Sequence, residues 1–286
     1  MIERAALCAL LEPVLGGPVE LDVLKDKPGR RITMRARGRR ARAIVKIYAS
    51  QRAPTVAGRV RGLAGGPPEP VVPEVLMLDE ALHLVVLSEV PGTPLSGAFT
   101  ARDAAACARA GRALGVWHRA WEGTPEGPHR SHTPARELEI LEARIDVAPD
   151  PLATEVRARL AELPALVWGP ATVIHRDLYE EQIMLGERIG LIDLDDSALG
   201  PPELDLGNLL GHLLLLERRS GVDLAGITET FLQAYREAGP PLDDVLLGHC
   251  RELSLLRLAC IHADPSLVPT AGEADAASTV APALGA

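Results

Sequence analysis

The chain of 286 residues is long enough for two subdomains with a sizeable core, and 47% hydrophobic residues make it globular rather than disordered. Aromatic residues reach only 3%, so Leu, Val, Ile and Ala must fill the interior. A formal net charge of −9 argues against a dedicated nucleic-acid or anionic-membrane binder and fits a neutral or cationic small substrate.

The N-terminal stretch MIERAALCALLEPVLGG does not read as a signal peptide, because Glu3 precedes the apolar run and Glu12 and Pro13 interrupt it. No segment approaches the roughly 18 apolar residues of a membrane span, LLGHLLLLE being the nearest. Cys8, Cys107, Cys250 and Cys260 lack CxxC spacing and read as free thiols in a reducing cytoplasm.

Residues 18–48 read as strands: ELDVL leads into the turn-like KDKPGR, then RITMRAR and ARAIVKIYA flank Gly38 as a hairpin. QRAPTVAGRVRGLAG predicts a short helix ended by glycines. VVPEVLML and LHLVVLSEV predict two more strands around DEA, so the first 90 residues are expected to be mainly β with one helix. PGTPL reads as a linker. Thr100 and Asp103 resemble a capping pair ahead of the long helix ARDAAACARAGRALGVWHRAW. After a Gly, Pro and His loop over 122–135, ARELEILEARID and LATEVRARLAELPAL predict amphipathic helices. ATVIH and IMLGERIGLID are strand-like, and helices are expected near 204–218, 224–238 and 242–262. Residues 263–286 lack periodicity and read as a mobile tail. The outline is α+β in two lobes: a β-rich lobe over 1–89, a hinge near 88–92, and a helical lobe over 90–262 with a β-hairpin in it.

Two stretches carry chemistry. VIHRDLYEEQIML, residues 173–185, and GLIDLDD, residues 190–196, set polar residues between apolar runs. Buried polar groups cost several kcal/mol unless partnered, so packing alone does not explain them. HRDLYEEQ fits the catalytic-loop pattern H-R-D-L-x-x-x-N with Gln182 in place of Asn. Asp193 follows eleven residues later, and Lys46 in AIVKI resembles the strand pattern V-A-I-K. With GPPELDLGNLL after them, these motifs resemble the aminoglycoside phosphotransferase/choline kinase-like family of the protein-kinase-like fold. The likeness extends over about 15–262 in layout and is specific over 173–212.

That resemblance implies an ATP- and Mg²⁺-dependent phosphotransferase acting on a hydroxyl of a small molecule. Phosphoryl transfer needs positioning and charge neutralisation more than covalent help. Asp177 would take or orient the hydroxyl proton, Gln182 and Asp193 would hold Mg²⁺ through oxygen, and Lys46 would hold phosphates. His175 would prop the loop, Asp205 would anchor it, backbone near Glu89 and Val90 would bind adenine, and the turn 25–29 would cover the phosphates. Expected acceptors are an aminoglycoside-like antibiotic, a natural product or a sugar. The expected molecule is cytoplasmic, a monomer or homodimer, without nucleic-acid or membrane partners.

Three departures stand out. Gln182 is one methylene longer than Asn, as in maltokinase-like relatives, which keeps a sugar kinase open. No acid occurs between 50 and 68, so the usual partner of Lys46 is missing or comes from elsewhere, with Glu74 a candidate. That gap keeps open a catalytically inactive nucleotide-binding module. Arg176 stands where the family usually has Gly. Other groups have plainer readings. The ten Lys and Arg from Lys25 to Lys46 read as the solvated face of a hairpin. Asp195 and Asp196 read as loop solvation with a secondary metal or substrate role. His129 and His132 read as loop residues, Trp117, His118 and Trp121 as packing residues, and His212 as a core histidine.

Overall fold

A computed structural model describes residues 3–269. The chain begins with helix α1 (Arg4–Leu15), then strands β1 (Glu20–Lys27), β2 (Arg31–Arg37) and β3 (Arg42–Tyr48), helix α2 (Ala53–Gly62), and strands β4 (Val75–Asp79) and β5 (Leu84–Ser88). The strands form one antiparallel sheet in the order β1-β2-β3-β5-β4. Period-two alternation decides its faces. Ile32, Met34 and Ala36 turn to one side, where Leu7, Leu11 and Leu15 of α1 cover them. Arg31, Thr33, Arg35 and Arg37 therefore turn to the other side, into the cleft between the lobes. On that second side Val56, Ala57 and Val60 of α2 pack against Val85, Leu87 and Tyr48.

The lobe thus contains two helices where the sequence suggested one. The i, i+4, i+8 leucines of α1 carry its signal, and Gly16 ends it at a φ of 78° with its N–H on the Glu12 carbonyl. Residues 71–74 also leave the expected strand. Val71 donates to the Ile189 carbonyl at 2.8 Å and accepts from the Leu191 N–H at 2.8 Å, which ties the sheet lobe to the second lobe.

Beyond the crossing lie β6 (Thr93–Pro94), α3 (Ser96–Thr100) and α4 (Ala104–Ala120), with Asp103 capping α4 by accepting from the Ala106 N–H. Thr100 bonds back to the Ser96 carbonyl instead, so Asp103 alone caps α4. Helices α5 (Pro134–Ile145) and α6 (Asp150–Glu162) follow, then β7 (Thr172–Ile174), β8 (Ile183–Leu185), β9 (Ile189–Leu191), β10 (Ala198–Gly200), α7 (Pro202–Ser220), α8 (Ala225–Ala238) and α9 (Asp244–His262). Helix α4 packs on α8, and α7 on α9. Phe99, Trp117, Leu206, Leu209, Phe231 and Tyr235 anchor the main core. Strands β8 and β9 form the expected hairpin, with β6 on its edge. The ATVIH strand stays out of it and pairs with β10, a strand without a clear sequence signal. The proposed tail is described only to residue 269, with a short 3₁₀ turn at Pro265–Leu267; residues 270–286 lie outside the described part. No helix among the described residues is long and apolar enough to cross a membrane.

Candidate active site

The catalytic-loop motif runs from the end of β7 into β8. Its shape is imposed from α7: the Asp205 carboxylate, fully buried in the first turn of that helix, accepts the backbone N–H of His175 and of Arg176, each at 2.6 Å. An acid is favourable there because the helix N-terminus carries partial positive charge. His118 Nε2 lies 3.2 Å from the same carboxylate, and its Nδ1 lies 2.8 Å from the Tyr235 hydroxyl. The His175 ring reaches forward, with Nε2 2.7 Å from the Ile192 carbonyl, so Nε2 carries the proton. His175 therefore joins the catalytic loop to the residue before Asp193. A second brace comes from Asn208, whose amide donates to the Leu178 carbonyl at 2.7 Å.

Arg176 has a φ of 72°, in the left-handed region. Glycine adopts that region without strain, which gives a physical reason for glycine at this position and makes Arg176 a strained residue. Asp193 also has a positive φ, 60°, as the chain turns sharply after β9.

Asp177 is exposed and opens, with Gln182, Asp193 and Asp196, onto a cavity of about 350 Å³. Lys25, Lys27 and Gly29 close it from the sheet lobe. Gly29 at a φ of 68°, after Pro28, makes a tight turn there with the Arg30 N–H on the Lys27 carbonyl at 2.9 Å. A second cavity of about 670 Å³ lies under the sheet, with Ile44, Leu87, Val90, Met184 and Ile192 among its apolar lining. Lys46, Glu89, Gln182 and Asp193 also line it. The Val90 N–H pairs with no backbone carbonyl among the described residues, and the Glu89 carboxylate is held by Arg35 at 2.7 Å. All seven singled-out residues thus gather at one cleft: six line its two cavities, and His175 stands behind the loop.

The electrostatic centre is denser than the motifs announce. Lys46, only 4% exposed, donates to Asp193 Oδ1 at 2.6 Å and to Asp195 Oδ1 at 2.5 Å. Arg31 holds Asp193 Oδ2 at 2.8 Å and also bonds Asp195. The Tyr48 hydroxyl donates to Asp195 at 2.6 Å. Burial by itself would raise the Asp193 carboxyl, but Lys46 and Arg31 hold it well below the usual carboxylate range, so it stays ionised. The Tyr48 phenol is pushed upward by burial and by Asp195 and stays neutral. Tyr179, on the wall shared by both cavities, is pushed up to about 12 by burial and then by Asp177.

Asp195 answers the question of the missing helix acid. Glu74 is exposed and its N–H bonds Ser88, so it is not the partner of Lys46. The partner is on the loop after Asp193, and helix α2 turns cations toward that loop instead. Arg59 bonds the Asp195 carbonyl, and Arg52, the residue before α2, bonds Asp196. Neither acid is simple loop solvation. The run from Lys25 to Lys46 is likewise not only a solvated face, since Arg31 and Lys46 are inside the site. Arg31 and Tyr48 are site residues that the sequence reading does not single out, and Asp195, given there a secondary metal or substrate role, is the partner of Lys46. The available signals were the cleft-side register of Arg31 and Tyr48 and the doubled acid in IDLDD.

Gln182 and Asp193 offer an amide oxygen and a carboxylate on a shared wall, joined through the backbone by the Ile192 N–H on the Gln182 carbonyl at 3.0 Å. An oxygen set beside a strongly acidic carboxylate fits a hard divalent cation. Arg31 lies on the same carboxylate, so such an ion would compete with its guanidinium. No cluster of three His, Cys, Asp or Glu residues that could hold a metal ion occurs among the described residues, and His129 and His132 are placed by burial and hydrogen bonding. Both are buried, and His132 Nε2 lies 2.8 Å from Glu137. His212 stacks on Tyr179 with ring centroids 4.7 Å apart.

Most of the chain superposes on solved structures of known proteins. Macrolide 2'-phosphotransferase MphH from Brachybacterium faecium is 19% identical, with a TM-score of 0.57 over 97% of this chain and 98% of that one. Choline kinase from Cryptosporidium parvum Iowa II is 11% identical, with a TM-score of 0.68 over 93% and 90%. Amicoumacin kinase hAmiN, solved with AMP-PNP, Ca²⁺ and Ami, is 16% identical, with a TM-score of 0.61 over 90% and 84%. At these identities the likeness shows the two-lobed kinase-like fold. No curated protein sequence matches the chain significantly. The profile of the phosphotransferase enzyme family matches residues 30–244, from the turn before β2 to the start of α9, and the chain belongs to that family.

Proposed function

We propose that the protein transfers the γ-phosphate of ATP, with Mg²⁺, to a hydroxyl group of a small molecule. The observation that carries this reading is the single cavity onto which Asp177, Gln182 and Asp193 open opposite the Lys25–Gly29 turn. The adjoining apolar cavity, with a Val90 N–H at its edge that has no backbone partner among the described residues, suits adenine. Lys46 would hold phosphates, and Val90 with the backbone of Glu89 would hold the base. When bound, Mg²⁺ supplies charge neutralisation on the phosphates. Gln182 and Asp193 would hold it through their side-chain oxygens.

The acceptor oxygen forms a bond to the γ-phosphorus while the bond to the β,γ-bridging oxygen breaks. That electron pair leaves with ADP, and the hydroxyl proton passes to the Asp177 carboxylate. His175 and Asp205 act through the loop, by fixing where Asp177 stands. The missing helix acid suggested an inactive module, and the Lys46–Asp195 pair supports the active reading instead. Four free cysteines, three of them buried, fit a cytoplasmic location.

Asp177→Asn is the direct test. Turnover should fall about a hundredfold or more, while calorimetry finds MgATP affinity near that of the wild type. Undiminished turnover would remove Asp177 from the chemistry.

A further inference from the structure

The net charge of the whole chain would suit a cationic acceptor, but the wall beside Asp177 has the opposite sign. Besides Asp177, Tyr179, Gln182, Asp193 and Asp196, the helical lobe lines the cavity with Ile140 and Arg144 on α5, Arg176 next to Asp177, and Arg257 and Ile261 on α9. Helices α5 and α9 contribute no carboxylate to that lining. The three acids of the cavity are Asp177, Asp193 and Asp196; Asp193 is bonded to Lys46 and Arg31, and Asp196 to Arg52.

The cations differ in how they are held. Arg257 is almost buried and fixed, bonding Asn208 with Glu137 3.7 Å away. Arg144 is exposed, and Arg176 is half-buried with its Nε inside the protein and unpaired. Among the described residues neither has a carboxylate within ion-pair distance. Two guanidinium groups without an ion-pair partner therefore face the space that an acceptor must enter, flanked by two isoleucines, with Asp196 and Glu137 close enough to feel the charge of Arg176. An ammonium group there would meet like charge in a partly dry cleft, a repulsive arrangement that selects against such ligands. A carboxylate or phosphate would meet planar forks that bind such groups in pairs of hydrogen bonds.

We propose that the acceptor is a hydroxyl compound bearing a carboxylate or phosphate group, gripped by Arg144 and Arg176 while its hydroxyl faces Asp177 and its apolar part lies along Ile140 and Ile261. This rests on the phosphotransferase reading above, and the transfer step is the one written there.

The test is a panel with phosphorus NMR of the product. Two arms are anionic: hydroxy carboxylates such as gluconate and glucuronate, and phosphate monoesters such as glycerol phosphate and glucose phosphate. The other two are neutral polyols such as glucose and maltose, and ammonium compounds such as glucosamine, choline and kanamycin. Transfer at least tenfold more efficient in one anionic arm is the expected result, and that arm identifies the head group. Equal or better transfer to ammonium or neutral compounds overturns the inference. So does MgATP binding without transfer to either anionic arm. Failure to bind MgATP in calorimetry instead brings down the phosphotransferase reading, and this inference with it.

Two variants sharpen the result. Arg144→Glu should raise KM for the anionic acceptor tenfold or more, with a smaller change in kcat. Arg176→Gly removes the second charge at a backbone position where glycine is unstrained, so the variant should fold, and it should raise KM in the same way. Unchanged acceptor KM in both variants overturns the assignment.

Discussion

Asp195 illustrates how one side chain can replace an element's usual contribution. Its carboxylate holds Lys46, Tyr48 and Arg31 at a position only 2% exposed, so each of those bonds is made in a poorly solvated setting. Charge-assisted hydrogen bonds there are worth about 1.5–3 kcal/mol each. Asp195→Asn should accordingly lower kcat/KM for ATP by about ten- to a hundredfold, and lower the melting temperature. Glu74→Gln, at the exposed position that sequence alone suggested for the Lys46 partner, should change neither. Steady-state kinetics on the two variants separates the assignments, and an Asp195→Asn enzyme with wild-type kinetics would refute the role given to this pair.

Among the secondary-structure elements, most of the architecture was legible because period and punctuation agreed. Strand β2 alternates and β5 is a continuous apolar run, the long helix over 104–120 has an acid cap, and the expected C-terminal helices lie within a few residues of the observed ones. What escaped was decided by contacts. Helix α1 exists because its three leucines have a sheet face to cover, and β10 exists because β7 needs a partner. The α4–α8 contact is also set by shape. Gly111 and Gly115 let the helices approach until a Cβ at Gly111 would meet the Phe231 carbonyl. Overpacking of this kind costs typically about 1–3 kcal/mol. Gly111→Ala should therefore lower the urea midpoint by a corresponding amount, whereas Gly58→Ala, in open space on α2, should leave it unchanged or raise it slightly. A Gly111→Ala protein as stable as the wild type would mean that the helices are not in close contact.

Across the molecule, burial of two histidines sets the acid limit. His129 is held down to about 4 by burial and then by Arg59, and His212 to about 3 by burial and then by Arg257. Both folded values lie below the ordinary 6.5, so the unfolded chain binds more protons between them and stability rises with pH in that window. Stability should be lost as pH falls from about 6.5 toward 4. The loss is roughly 3 kcal/mol for the pair, taking about 1.36 kcal/mol per pH unit and about half of the full effect, because water reaching the rings relieves part of the burial. Asp193, held below the usual carboxylate range by Lys46 and Arg31, adds its loss only at still lower pH. Urea melts from pH 7 to 4 would reveal this, and a flat midpoint across that range would rule it out.

The α+β class, the two-lobe order, the phosphotransferase motifs and the motif residues of the cleft could be read from the linear chain, because periodicity, caps and motif spacing are local properties. Four things required the folded molecule: which carboxylate answers Lys46, which cations of the basic hairpin enter the site, why position 176 is strained, and what charge faces Asp177. Those depend on side chains far apart in the chain meeting in one desolvated space, and pairwise electrostatics in such a space has no signature in residue order.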